Sequence, residues 1–300
     1  MVLFAIWLAG RAAIMVSAVI GPIPSAVIDL SFLGALIAII AREIVAAGNL
    51  RNLKVLAAVA LLFVANALVH LEATLSLGDG HGNRLGLGAT LMLIMIIGGR
   101  IIPSFTRNWL NRRGPGRLPV PVDRLDLSAM GVSGMALASW VVVPNEPATA
   151  VLAVAAFAFN LYRLSRWAGE RTLADPLVLV LHVSYAFVPL GFLLIALSIV
   201  RADVMAASAA QHAWTAGAIG MMTLAVMTRA SLGHTGQRLA TSTPITLIFV
   251  AAFLGAVARV AAGIPGLRDQ ALATGAVLWV AAFAGFVAVF APLLMKRRAP

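Results

Sequence analysis

Long apolar stretches recur along nearly the whole chain, and they limit the possible fold more than any other feature. At about 20 residues each, they match helices that cross a bilayer, and they lack the alternation of barrel strands. Hydrophobic residues make up 61% of the chain and charged residues only 11%, which is too few to cover a soluble surface. The sequence therefore predicts an all-α fold, a polytopic transmembrane helix bundle in a lipid bilayer.

The predicted bundle has about ten spans, which is the number of separate apolar stretches in the sequence. Their predicted bounds are residues 2–20, 24–45, 53–70, 85–102, 125–143, 148–167, 177–200, 213–228, 244–262 and 271–295. No connection is long enough to hold a soluble domain, so residues 1–300 are predicted to form a single membrane domain. The longest connection, 106–124, is rich in Arg, Pro and Gly and is predicted to be a basic cytoplasmic loop.

Arginine and lysine are distributed unevenly between successive loops. The loops after even-numbered spans carry most of them, including a cluster after span four that comprises Arg107, Arg112, Arg113, Arg117 and Arg124. Because positive charge is retained on the cytoplasmic side, both termini are predicted to be cytoplasmic. The formal net charge of +11 is thus explained by topology, and we predict no nucleic-acid binding.

Arginines inside or near the spans need partners. Arg11 lies at the centre of the first predicted span, where an arginine costs roughly 2.5–3.5 kcal/mol on insertion scales. We expect its side chain to face the bundle interior, and Asp29 in the second span is a candidate partner. Arg100, Arg229 and Arg259 lie near span ends, where snorkelling to the headgroups is the usual explanation.

The histidines fall at two predicted membrane depths. His70 ends the third span and His212 opens the eighth, which brings two imidazoles to the outer face. His182 lies roughly 8 Å inside the cytoplasmic end of the seventh span at 1.5 Å per residue, and His234 follows the eighth span. We predict an outer pair, His70 with His212, and an inner pair, His182 with His234, if the helices concerned are neighbours. His81, in the sequence GDGHGN, is predicted to be a solvated loop residue.

Paired imidazoles inside a helix bundle are typical ligands of a six-coordinate haem, whereas a lone imidazole suits copper or a gas-binding haem. Arg11, Arg100 or Arg229 would neutralise haem propionates. A histidine at a membrane boundary is also common as a solvated edge residue, so the spacing alone leaves both interpretations open. The chain has no cysteine, which excludes thiolate ligands and iron–sulfur clusters.

Small residues are spaced for close helix packing at three places in the spans, namely Gly86 with Gly88, Gly131 with Gly134, and Gly217 with Gly220. Glycine at such spacing lets the backbones of membrane helices approach one another. We therefore interpret these pairs as packing positions and not as functional residues.

Five stretches carry a further pattern: IWLAGR at 6–11, ANALVHLEA at 65–73, GGRIIPSFTRN at 98–108, LHVSYAFVPLG at 181–191 and HAWTAGAIGMMTLAVMTRASLGHTG at 212–236. Together they resemble the NnrS family of bacterial inner-membrane proteins. The resemblance implies a haem- and copper-binding component of the response to nitric oxide and nitrosative stress, which is not itself an established nitric oxide reductase. It also implies a location in the bacterial inner membrane and contact with nitric oxide or nitrosyl species.

The sequence departs from the family pattern at its start. Family members typically have further helices before the one that matches residues 6–11, and one of those helices carries a His-x-His-Glu motif near the outer face. Either the sequence begins late or it is a shortened member of the family. If the histidines of that motif are ligands, His70 and His212 would form the remaining half of a site.

The leading hypothesis is a haem-binding membrane protein, with copper as a second candidate cofactor. Its candidate residues are the metal ligands His70, His182, His212 and His234, and the cofactor-binding arginines Arg11, Arg100 and Arg229. One alternative is a small-solute transporter or channel, which buried Arg11 would fit, although no inverted repeat is visible. Another is an assembly partner of a respiratory oxidoreductase.

Overall fold

The structure is a computed structural model that describes residues 2–48, 50–78 and 80–295, and these residues contain helices and connections but no strand. The α-helices are α1 (Val2–Met15), α2 (Ser17–Ile20), α3 (Pro22–Ala46), α4 (Leu53–Leu75), α5 (His81–Leu110), α6 (Arg124–Val142), α7 (Pro147–Ser165), α8 (Pro176–Val200), α9 (Ala207–His212), α10 (Met222–His234), α11 (Thr243–Ala261) and α12 (Arg268–Met295). A π-helix (Ala213–Met221) joins α9 to α10, and short 3-10 turns occur at Leu50–Asn52 and Gly169–Thr172. The predicted all-α fold is confirmed.

Eight helices in the described part of the chain are long and apolar enough to cross a membrane, namely α3 to α8, α11 and α12. They correspond to eight of the ten predicted spans. The first predicted span is divided into α1, with 14 residues, and the short α2. The eighth lies within the run of α9, the π-helix and α10, which is helical without being one regular helix. The chain is therefore a multi-pass membrane protein, with a span count close to the prediction.

Helix α5 is longer at both ends than predicted. It begins at His81, continues through Pro103 and ends at Leu110. Proline is tolerated inside membrane helices because neighbouring groups satisfy the freed backbone carbonyl. The prediction that His81 lies in a solvated loop was wrong, because it is the first residue of α5 and its Nδ1 lies 3.6 Å from a carboxylate oxygen of Glu72.

Acidic residues define where two helices of the chain begin. The Asp123 carboxylate accepts a hydrogen bond from the Leu125 backbone N–H at 2.9 Å, and Asp126 accepts one from the Asp123 N–H at 3.2 Å. This reciprocal arrangement caps the start of α6. At α8, the Asp175 carboxylate accepts from the Leu177 N–H at 3.0 Å. Both caps satisfy backbone donors that the first helical turn leaves without partners.

The described residues form two compact units. The first contains the residues up to Leu93 together with Trp140–Val142, and the second contains Ile94–Ser139 together with the residues from Val143 on. In the first unit, α3 packs against both α1 and α4. In the second unit, α8 packs against α7, α9, the π-helix and α10. Most of the α8 side chains are buried, so α8 forms the core of the second unit.

The π-helix packs unusually close to α8. The Trp214 indole N–H donates a hydrogen bond to the Val188 carbonyl at 3.0 Å. A Cβ atom at Gly191 would overlap the same indole ring, and one at Gly217 would overlap the Phe187 ring. Glycine is therefore needed on both sides of this contact, where an aromatic ring fills the space that a larger side chain would occupy.

The predicted glycine pairs differ in their surroundings. Gly217 and Gly220 are packing positions as predicted, since a Cβ at Gly220 would overlap the Trp279 ring. Gly131 and Gly134 face open space, with no atom within 4 Å of an added Cβ. The spacing of glycines in the sequence thus identified a tight contact at the π-helix but predicted one on α6 that the structure does not show.

Candidate functional site

A cavity of about 390 Å³ lies in the second unit beside the junction of α9 and the π-helix. Its lining consists of His212, Thr215, Ala216, Arg259, Gly275, Ala276, Trp279 and Val280. Protein pockets for small molecules are typically apolar and contain a few polar groups that orient the ligand. This cavity has that character, with one imidazole and one guanidinium on a mostly apolar wall. It suits a largely apolar ligand that coordinates an imidazole and carries negative charge.

Thr215 sets the tautomer of His212. The Thr215 hydroxyl donates to the Gln211 carbonyl at 3.2 Å, and its Oγ1 lies 3.3 Å from His212 Nδ1. Because the single hydroxyl proton is used on the carbonyl, the oxygen accepts the N–H of Nδ1. The lone pair is then on Nε2. This is the arrangement that metal-binding histidines have, with one nitrogen held by a neighbour and the other available.

Arg259 contributes the positive charge of this cavity, and none of the described residues that line it is acidic. The aliphatic part of the Arg259 side chain crosses Gly275, where an added Cβ would lie 2.9 Å from Cδ. Gly275 thus leaves room for the side chain along α12. A half-buried guanidinium without a carboxylate in the same cavity favours an anionic ligand group, because the two parallel N–H donors of arginine match a carboxylate or phosphate. The sequence did not single Arg259 out from the other span-end arginines.

A second polar cluster lies in the first unit, where the carboxylate of Asp29 accepts hydrogen bonds from three side chains. Oδ1 accepts from Arg11, and Oδ2 accepts from Asn66 Nδ2 at 2.7 Å and from His70 Nε2 at 3.2 Å. Asp29 is only 4% exposed. The predicted partnership of Arg11 with Asp29 is confirmed, and it compensates both charges within the apolar part of the helices.

This cluster borders a cavity of about 440 Å³, lined in part by Arg11, Asp29 and Asn66. In the neutral tautomer that donates Nε2–H to the carboxylate, the lone pair of His70 is on Nδ1. A histidine oriented by a carboxylate in this way is a common metal ligand. His70 thus has the hydrogen bonding of a ligand, and its predicted pairing with His212 stays a prediction.

His182 is buried on α8, with both ring nitrogens against other groups. Nε2 lies 2.8 Å from the Thr106 hydroxyl. Nδ1 has no hydrogen-bond partner, and a Cβ at Gly169 would lie 2.6 Å from it. A ligand reaches Nδ1 only if the turn at Gly169–Thr172 moves away. The role of His182 as a metal ligand stays a prediction.

The other predicted residues lie apart from these cavities. The Arg229 guanidinium lies 4.1 Å from the centre of the Phe105 ring, a cation–π contact within the second unit. Arg100 is exposed on α5, and His234 is exposed at the end of α10. Within the described residues, no group of three or more His, Asp or Glu side chains is placed to hold a metal ion. The predicted pairing of His182 with His234 is not tested by this arrangement.

The second unit also contains a buried network centred on Arg163, which is 3% exposed. Its Nε donates to Asp126 Oδ1 at 2.7 Å, and its Nη1 donates to the Tyr185 hydroxyl at 2.8 Å. Tyr185 donates to Asn160 Oδ1 at 3.0 Å, and Asn160 donates to the Ser133 hydroxyl at 2.7 Å. The network joins α6, α7 and α8 by hydrogen bonds whose partners are all inside the protein.

This network was not identified from the sequence. A signal was present, since Asp126 lies at the start of one predicted span and Arg163 near the end of the next. Helices joined by a short connection are antiparallel neighbours, so these two ends meet at one membrane face. An acid and an arginine placed in this way predict an ion pair.

Outside the spans, ion pairs hold the connection between α5 and α6. Arg117 donates to both carboxylate oxygens of Glu170, at 3.0 and 2.6 Å, and this hydrogen bonding lowers the pKa of Glu170. The hydrogen bond from Arg166 lowers the pKa of Asp123 to about 2. The basic segment predicted as a loop is therefore fixed to the end of α7 and to the 3-10 turn that follows it by charge-assisted hydrogen bonds.

The fold and the two cavities define a multi-pass membrane protein that keeps imidazole, carboxylate and guanidinium groups among its membrane helices. The sequence model of the family described as NnrS protein matches residues 1–298, and the chain belongs to this family. No curated protein and no solved structure shows significant similarity to it. Membership of the NnrS family indicates that the chain is a membrane protein related to the nitric oxide response.

Proposed function

We propose that the protein binds haem through His212 and acts in the response to nitric oxide and nitrosative stress. We further propose that it lies in a bacterial inner membrane with both termini in the cytoplasm. The observation that carries the cofactor proposal is the cavity of about 390 Å³ in which an imidazole and a guanidinium share one apolar wall. The association of the NnrS family with haem and copper supports the same conclusion.

The residues that line the cavity fit a haem. His212 would offer Nε2 to the iron, because Thr215 holds Nδ1. Arg259 supplies the positive charge that a propionate needs, and the indole of Trp279 provides an apolar wall. A bound haem supplies an iron centre that can coordinate nitric oxide. The protein's own contribution would be to fix the tautomer of the ligand and to balance the propionate charge.

An absorption spectrum tests the cofactor assignment. We expect the purified protein, loaded with haem, to show a Soret band that the His212→Ala variant loses. His81→Ala is the matched control, because His81 lies outside both cavities. Added imidazole is expected to restore the band in His212→Gly, which separates loss of the ligand from loss of the fold. An unchanged Soret band in His212→Ala would remove His212 from the site.

The same preparation tests Arg259. We expect Arg259→Met to weaken haem binding by roughly tenfold or more, the effect of losing one charge-assisted hydrogen bond. Arg100→Met is the control, since Arg100 is exposed and lies outside the cavity. Equal haem affinity in the two variants would exclude Arg259 from propionate binding. Copper binding through the remaining histidines stays a prediction.

A second candidate function, transport of a small solute, is favoured by the cavity beside Asp29. Ionisable groups inside a membrane domain commonly mark substrate or ion pathways, and here a buried carboxylate borders a cavity of about 440 Å³. In liposomes, transport would give solute uptake by haem-free protein that Asp29→Asn abolishes. Uptake that is absent, or that Asp29→Asn leaves unchanged, would exclude this role.

A further inference from the structure

A cavity of about 620 Å³ opens at the end of the second unit where α5 ends and where α8 and α11 begin. Arg112 and Arg113 line it, directly after the last turn of α5. The Arg113 guanidinium lies 4.8 Å from the centre of the Trp109 ring, which also lines the cavity. Tryptophan and arginine at the end of a membrane helix are typical of the depth at which lipid headgroups lie.

The opposite wall of the cavity offers further hydrogen-bond donors. Thr241, Ser242 and Thr243 line it, immediately before and at the first residue of α11. Ser242 occupies the N-cap position, but its side chain makes no capping hydrogen bond. Residues with side-chain hydroxyl groups at the start of α11 therefore line the same space as the two arginines. Donors of this kind bind phosphate oxygens.

The charge of the cavity is positive on balance. Asp175 is the one acidic residue among those that line it, against Arg112 and Arg113. The Asp175 carboxylate already accepts a hydrogen bond from the Leu177 N–H at 3.0 Å, as the cap of α8. It is thus engaged in its own helix, and the two guanidinium groups are left to bind an anion.

An apolar groove continues from this cavity along α8 and α11. It measures about 280 Å³ and shares Pro176 and Thr246 with the basic cavity. Beyond them it is lined by apolar side chains, among them Val183 on α8 and Phe253 on α11. The seven residue steps from Thr246 to Phe253 span about 10 Å of helix, so the groove leads from the headgroup region toward the bilayer centre.

From this continuity we propose that the paired cavities bind one anionic phospholipid, with its phosphate between Arg112, Arg113 and the start of α11 and an acyl chain in the groove. A free phosphate would use the same basic cavity, but it would leave the groove unused. Basic pockets between membrane helices bind acidic headgroups in this way. The site is separate from the His212 cavity and does not depend on a cofactor.

Native mass spectrometry of the whole protein in detergent tests the proposal, with phosphatidylglycerol, phosphatidylcholine and inorganic phosphate as probes. We expect the protein to retain phosphatidylglycerol in preference to phosphatidylcholine. Arg112→Gln combined with Arg113→Gln should lower phosphatidylglycerol retention about 30-fold, and Arg113→Gln alone about fivefold, at roughly 1 kcal/mol per arginine. The matched control is Lys54→Gln combined with Arg124→Gln, which removes the same charge outside the cavity and should change nothing.

The groove has its own variant. Val250→Trp places a bulky ring in the groove and should reduce lipid retention without affecting the arginines. Equal retention of the two lipids, or an equal loss in the charge control, would overturn the proposal. If millimolar phosphate displaces phosphatidylglycerol and Val250→Trp has no effect, the site binds a free anion and the lipid assignment is wrong. Should the double variant fail to fold, Arg113→Gln alone carries the comparison.

Discussion

The two units of the chain place charged groups among apolar helices in different ways. In the first unit, 11% of the most apolar 18 residues of α3 and 22% of those of α4 are buried. The polar cluster of this unit is centred on an acid, Asp29. In the second unit, 56% of the most apolar 18 residues of α8 are buried. The polar network of this unit is centred on an arginine, Arg163. Arg11 is 49% exposed at its side chain, whereas Arg163 is 3% exposed.

This difference separates two uses of buried charge. The Asp29 cluster borders a cavity and leaves one nitrogen of His70 without a hydrogen on it, so it can still exchange a partner or bind a ligand. The Arg163 network is closed, because Arg163, Tyr185 and Asn160 each donate to a side chain on a neighbouring helix. A closed network of this kind specifies how the helices pack. An open cluster can still bind a ligand, but it contributes less to helix packing.

The largest expected effect comes from breaking each cluster at its arginine. We expect Arg163→Met to destabilise the protein by about 3–5 kcal/mol, because it leaves Asp126 buried without its main partner. Arg11→Met should cost less, because Asn66 and His70 still donate to the Asp29 carboxylate after the guanidinium is lost. Urea unfolding of the purified protein in micelles, followed by circular dichroism, measures both. Equal losses would mean that burial does not distinguish the two units.

A smaller effect is expected from the contact between α8 and the π-helix. Gly191→Ala should destabilise the second unit by about 1–3 kcal/mol, because the new methyl group overlaps the Trp214 indole. Gly134→Ala is the matched control, since its Cβ meets open space on α6, and it should be neutral or slightly stabilising. The two variants are compared in the same unfolding assay. Tolerance of Gly191→Ala would show that this packing is looser than the structure indicates.

The smallest effect is expected in the second unit outside its membrane spans, where Arg166 lowers the pKa of Asp123 to about 2. A lowered pKa means that the ion pair stabilises the folded state above about pH 3.8, and that this contribution is lost as the pH falls toward 2. The carboxylate is exposed, so the change should be small and sensitive to salt.

Hydrogen exchange at the first turn of α6 measures this pH dependence. Protection in the wild type should fall between about pH 4 and pH 2 by more than in Asp123→Asn, which cannot titrate at this position. Identical pH profiles in the two proteins would show that the pair contributes nothing to the stability of this helix start.

Much of the fold was predictable because membrane helices are long and apolar, and each appears in the sequence as a separate apolar stretch. The partnership of Arg11 with Asp29 was also predictable, since a charge at mid-span needs a partner and few acids lie at that depth. Helix ends were less predictable. The sequence GDGHGN has turn composition, yet His81 begins a helix that Glu72 supports from the preceding one.

The candidate site was predictable only in part. His212 was identified by its position at a span end, but Arg259 was not, because its nearness to His212 depends on α11 and α12 packing beside the π-helix. The Arg163 network was missed for a related reason. An arginine near a span end has the same sequence environment whether it faces headgroups or the interior, and only the neighbouring helices decide between the two.

The π-helix from Ala213 to Met221 also sets how far the helix before it is rotated about the helix axis relative to the helix after it. In an α-helix each residue turns the chain by about 100°, so inserting or deleting one residue rotates everything beyond it by that amount. The wide turns therefore determine the direction in which the His212 ring points relative to α10. Deleting a single residue after Ala216 would rotate His212, Thr215 and Ala216 together by about 100° relative to α10, and would change the lining of the cavity.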